Sequence, residues 1–145
     1  MNSMKFSKTL FLLPALISFN AVNAETLCIR TYAEAIAMVE TANDPTAIGR
    51  DGERSRYQFM DFVWKEYSNE PFETASTNAR EANRVFMEHV KWSVRALKVL
   101  DQDVTVYNLA LLHNAGFGNI QRSTVQERHR NYAKRVTSLY YSGAL

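Results

Sequence analysis

Residues 78–97 read Asn78-Ala-Arg-Glu-Ala-Asn-Arg-Val-Phe-Met-Glu-His-Val-Lys-Trp-Ser-Val-Arg-Ala-Leu97. Asn78 followed three positions later by Glu81 has the spacing of a helix start, where a short polar side chain accepts from N–H groups that lack helical partners. Ala82, Val85, Phe86, Val90, Val94 and Leu97 then recur at helical intervals, placing them on one stripe. Neither proline nor glycine interrupts the run. His89 and, further on, His129 read as exposed helix positions.

On the C-terminal side, Asp101-Gln102-Asp103 breaks the pattern. Val104 to His113 reads as another helix, stopped by Asn114-Ala115-Gly116-Phe117-Gly118. Ser123-Thr-Val-Gln126 has capping-box spacing and predicts a last helix to about Tyr140. On the N-terminal side, a polar break from Ser68 to Ser76 contains Pro71. Before it, Phe59 to Tyr67 sets Phe59, Phe62 and Val63 on one helical face and Met60, Trp64 and Tyr67 on another, which predicts a short, largely buried helix. Thr31-Tyr-Ala-Glu34 has capping-box spacing for a first helix through Val39, stopped by Asn43-Asp44-Pro45. Only a few residues around Ser55 to Gln58 suggest a strand. The class predicted is all-α, mainly helical: one compact domain of about five helices with at most a minimal β element.

The N-terminus has a different character. Lys5 and Lys8 precede a short apolar run, Leu10 to Phe19, and Val22-Asn23-Ala24 offers a cleavage site. Residues 1–24 therefore read as a signal peptide cleaved near Ala24, and residues 25–145 as the mature domain, periplasmic or secreted and not membrane-embedded. Removing Lys5 and Lys8 from the 17 basic residues brings them level with the 15 acidic ones. A neutral chain gives no electrostatic case for nucleic acid. Cys28 is the only cysteine, which excludes an intrachain disulfide and a thiolate metal site and reads as a small buried side chain.

One stretch reads as a site rather than core. Glu40 to Phe59, E-T-A-N-D-P-T-A-I-G-R-D-G-E-R-S-R-Y-Q-F, sets an acid where an apolar helical run stops. Glycosidic cleavage needs a carboxylic acid that stays protonated near neutral pH. Apolar surroundings and the negative end of a helix both disfavour ionisation, and Glu40 follows Ala37, Met38 and Val39. That reasoning requires Glu40 to be at least partly buried. Nearby Asp44, Asp51, Glu53 and Glu66 are the candidates for a second carboxylate. Singly, the other features have plainer readings: Asn114-Ala115-Gly116 as a helix C-cap with left-handed glycine, Tyr132 as a core aromatic, His113 as a packing residue.

In this order and spacing the features resemble the lysozyme-like superfamily of lytic transglycosylases. The resemblance lies in Glu40, Thr41, Asp44-Pro45, Ala47, Gly52 and Gln58, with Trp64 following, then Ala110-Leu-Leu-His113-Asn114-Ala115-Gly116, and last Tyr132-Ala-Lys-Arg-Val136. It covers about Thr31 to about Tyr140. Thr41 stands where the family usually has serine, His113 where it usually has tyrosine, and Ser55 where it has a glycine that lets backbone approach the sugar, so Ser55 predicts a narrower groove.

The resemblance implies a peptidoglycan-cleaving enzyme with one catalytic residue, Glu40. This would act as acid on the bond between N-acetylmuramic acid and N-acetylglucosamine, then as base on the muramoyl 6-hydroxyl, closing a 1,6-anhydro ring. Gln58, Tyr57, Ser55, Asn114, His113 and Tyr132 are the substrate-site residues it implies. Gln58 and Asn114 would hold sugar groups, and Tyr132 would orient Glu40. No metal or organic cofactor is needed, and the partners are peptidoglycan glycan strands. A hydrolase on the same bond and a lysozyme-like domain that binds glycan without cutting it are the alternatives. Wall remodelling, clearing the wall for an envelope-spanning apparatus, and attack on other cells all remain open as roles.

Overall fold

The computed structural model describes residues 27–145, so the expected signal peptide and its cleavage site lie outside the described residues. Among the described residues the chain is all-α. It folds as α1 (Ile29–Thr41), α2 (Asp61–Lys65), α3 (Phe72–Ala75), α4 (Ala79–Val99), α5 (Val106–Ala115), α6 (Phe117–Gln121) and α7 (Glu127–Ser142). Among the described residues, extended structure is confined to the antiparallel bridges Ile48–Arg54 and Arg54–Phe59.

The long helix α4 forms as its pattern predicts. Asn78 Oδ1 accepts from the N–H groups of Arg80 (3.0 Å) and Glu81 (3.2 Å). Ala82, Val85, Phe86, Val90 and Leu97 are buried, and His89 and Ser93 share that face. Central helix α5, apolar nearly all round, starts from a Thr105 cap (3.1 Å to the Asn108 N–H). It packs most extensively on α7 and next on α4, while α7 also covers α1. A helix apolar on every face must be covered on every face, which explains its place in the middle.

Two helices exceed the expected five, both short. Phe72 buries its ring 5.9 Å from Trp64 and turns the Pro71 break into α3. The stop after His113 is a corner, because Gly116 at φ 77°, ψ 155° redirects the chain straight into α6. That combination lies outside the left-handed helical region and is accessible essentially only to glycine.

Two helix starts are shifted. Helix α1 begins at Ile29 behind Cys28, so no box forms between Thr31 and Glu34; the Thr31 hydroxyl bonds Cys28 Sγ instead (3.2 Å). Helix α7 takes Gln126 as its cap, with the Gln126 N–H donating to His129 Nδ1 (3.3 Å), and not Ser123. Cys28 is exposed, His89 and His129 are buried, and Phe62 is 67 % exposed, each against expectation. The core centres on Phe86, whose ring stacks on Tyr57 (4.1 Å between centroids) and meets Tyr32 (5.8 Å) and Phe59 (6.3 Å). Such ring pairs add about 0.5–1.5 kcal/mol each beyond area burial.

Candidate active site

Glu40 sits in the last turn of α1. The helix ends because Ala42 (φ 53°) and Asn43 (φ 69°) turn left-handed, and the Asn43 N–H returns to the Ala37 carbonyl (3.0 Å). Asp44 then accepts from both the N–H and the hydroxyl of Thr46 (2.8 Å each), fixing the turn. The Thr41 hydroxyl reaches the Arg56 carbonyl (3.4 Å), so the loop returns against the end of α1.

Between α1, α2, α4 and the α5–α6 corner lies a cleft of about 820 Å³, within the usual range for ligand sites. Glu40, Gln58, His113, Asn114 and Gly116 line it, joined by Phe62, Trp92 and Phe117. The Glu40 side chain is 16 % exposed, so it is partly buried as expected. His113 Nε2 stands 3.6 Å from Glu40 Oε1, and the His113 side chain is 6 % exposed.

Two phenols flank the acid. Tyr32 and Tyr132 are both buried, and burial first, then the nearby Glu40 charge, raises the pKa of each hydroxyl. Both therefore remain protonated donors. The Tyr132 hydroxyl makes no hydrogen bond of ordinary geometry, yet Glu40 is its hydrogen-bonding neighbour and helps to hold its proton, so the two groups are paired loosely. His89 forms part of the cleft wall, stacked on Trp92 (5.6 Å), and burial with the adjacent His113 lowers its pKa to about 3.

Gln58 lies in the cleft wall, but its amide N–H groups are held by the carbonyls of Ser55 (3.0 Å) and Ala47 (3.4 Å). Its loop explains Gly49, since a β-carbon there would collide with Gln58 Oε1 and Glu53 Oε2. Three expected site residues are not in the cleft lining: Tyr132, which lies behind it against His113 and Glu40, and Tyr57 and Ser55. Tyr57 stacks on Phe86, donates to Asn83 Oδ1 (2.7 Å), and faces a separate groove of about 500 Å³ that Arg56 also lines. Ser55 is fully buried at φ 72°, with Oγ accepting the Tyr57 N–H (3.1 Å). A glycine suits this position because of its backbone angle.

Of the four candidate second carboxylates, Glu53 and Glu66 line the cleft. Asp44 holds its own turn and Asp51 pairs with Arg50 (3.4 Å). Glu53 Oε2 already accepts the Asp51 N–H (2.9 Å). Sequence reasoning missed His89, although its spacing from Val85, Phe86 and Val90 put it on the buried stripe. It also missed Phe62, whose apolar character signalled burial.

No group of three or more His, Cys, Asp or Glu among the described residues is arranged to hold a metal ion. No helix among them is long and apolar enough to cross a membrane. No family model, curated protein or solved structure matches the chain.

Proposed function

We propose that the chain is a peptidoglycan-cleaving enzyme of the lytic transglycosylase type, with Glu40 as its acid and base. The observation that carries this reading is the setting of Glu40. It is a mostly buried carboxyl at a helix end, in an aromatic-rich cleft that His113, Gln58 and Asn114 also line. Glu40 gives its proton to the glycosidic oxygen, which leaves with the electron pair of the C1–O bond. The muramoyl 6-hydroxyl oxygen bonds C1 and its proton passes to Glu40, so one carboxyl completes the cycle. Attack from within the substrate has the advantage of proximity. Asn114 and Gln58, which line the same cleft, would meet sugar substituents.

A second reading, hydrolysis, is favoured by one observation: Glu66 also lines the cleft, and a second carboxylate is what an inverting or retaining hydrolase needs. Mass spectrometry of digested murein separates the two. Anhydro ends are expected, and reducing ends in their place would establish hydrolysis. Glu40→Gln should abolish release, and equal activity in variant and wild type would sink the assignment. Export to the periplasm or beyond completes the proposal, with glycan strands as the partner.

A further inference from the structure

His113 Nε2 points at Glu40 across 3.6 Å. Its other ring nitrogen, Nδ1, is enclosed and makes no hydrogen bond. Rings surround the imidazole: His89 (5.4 Å), Phe59 (5.9 Å) and Phe86 (6.0 Å) meet it edge-on, and Tyr132 stacks on it (6.4 Å). A neutral imidazole carries its proton on one nitrogen only, and the other keeps a bare lone pair. Buried N–H groups without an acceptor are rarer and costlier than under-satisfied acceptors. The proton therefore belongs on Nε2, facing the carboxylate, and the lone pair at Nδ1 faces the rings.

From this geometry we infer that His113 is a positioning residue for Glu40: its Nε2–H holds Oε1, fixes the plane of the carboxyl, and leaves Oε2 as the oxygen that exchanges protons with the glycan. The inference rests on the acid–base role of Glu40 proposed above. In the two steps, Oε2 gives its proton to the leaving oxygen and later receives the proton of the 6-hydroxyl. His113 neither gives up nor gains a proton. Its N–H is strongest as a donor when Glu40 is an anion, midway through the cycle. The separation is long for a hydrogen bond, as catalytic contacts often are before substrate binds.

Two kinds of measurement test this, one independent of activity. Long-range ¹H–¹⁵N correlation spectra of the wild-type protein should show His113 protonated on Nε2 and bare on Nδ1. Glu40→Ala should then move the Nε2 proton resonance upfield. The opposite tautomer, or a resonance that does not move, overturns the inference. In murein release, His113→Phe keeps a ring but no donor, and should lower kcat by about 10- to 100-fold, with KM within about twofold. His113→Gln places an amide N–H near the former Nε2 and should recover most of that loss. Equal losses in both variants would mean that the ring only packs. Absence of any released product from the wild type would defeat the lytic reading, while the spectra would still decide the pairing.

Discussion

Burial first, then the charge of Glu40 and hydrogen bonding to its carboxyl, hold the proton on the buried hydroxyl of Tyr132. The phenol is thus a donor turned toward the acid, in a contact looser than an ordinary hydrogen bond. Tyr132→Phe removes the hydroxyl and keeps the ring. Thermal denaturation should place the variant within about 1 kcal/mol of wild type, because a loose bond is lost together with the cost of burying the hydroxyl. Its kcat for glycan release should fall about tenfold. A loss of both stability and activity would make Tyr132 an ordinary core residue.

Phe62 leaves 67 % of its surface to solvent while lining the cleft. An aromatic face open to a glycan cleft is suited to cover the apolar face of a sugar ring. Phe62→Ala should raise KM about fivefold, the equivalent of about 1 kcal/mol of lost burial. Neither kcat nor the melting temperature should change appreciably. An unchanged KM would remove Phe62 from the glycan path.

Ser55 occupies a left-handed backbone position, which costs a residue with a β-carbon about 1–2 kcal/mol. Ser55→Gly relieves that strain, loses the Oγ bond to the Tyr57 N–H, worth about 1 kcal/mol, and adds chain entropy to the unfolded state. These terms nearly cancel, so denaturant titration should place the variant within about 1 kcal/mol of wild type. Because Ser55 is buried outside the cleft lining, release should stay within about twofold. A several-fold gain would restore the narrow-groove expectation.

His89 has a pKa of about 3 in the folded chain, held down mainly by burial, against about 6.5 when exposed. Between those values the unfolded chain binds a proton that the folded chain does not. The stability tied to neutral His89 is therefore fully present above pH ~6.5 and is lost as pH falls toward ~3. The slope approaches about 1.4 kcal/mol per pH unit in the middle of that window. Urea midpoints at pH 7 and pH 4.5 should differ clearly more for wild type than for His89→Phe. Equal differences would show that other groups set the acid sensitivity.

Much of the architecture was legible because the strongest patterns were also the buried ones. The stripe from Ala82 to Leu97 and the Asn78 cap specify α4, since local spacing and tertiary burial agree there. The starts of α1 and α7 were read from the right kind of motif at the wrong residue. A Ser/Thr–x–x–Glu/Gln spacing marks a helix start only when no nearer residue caps first, and Cys28 and Gln126 do so. Glu40, His113, Asn114 and Gln58, grouped by their order and spacing, line one cleft. Tyr57 and Ser55 were misplaced because which side of a loop a residue faces depends on backbone angles. Phe62 was misread because an apolar residue on a short helix has two destinations, core or cleft, and periodicity does not separate them.

The Arg54–Phe59 loop has a further consequence. Left-handed angles at Ser55 and Gln58 turn adjacent side chains to different sides, Tyr57 onto Phe86 and Gln58 into the cleft. The two bridges at Arg54 pin this segment at both ends. Its length is consequently more constrained than its composition. Inserting or deleting one residue between Ser55 and Gln58 would exchange the destinations of these side chains, driving an amide into the aromatic core and a phenol into the cleft. Substitutions at single loop positions are therefore far more tolerable than any change in the number of residues.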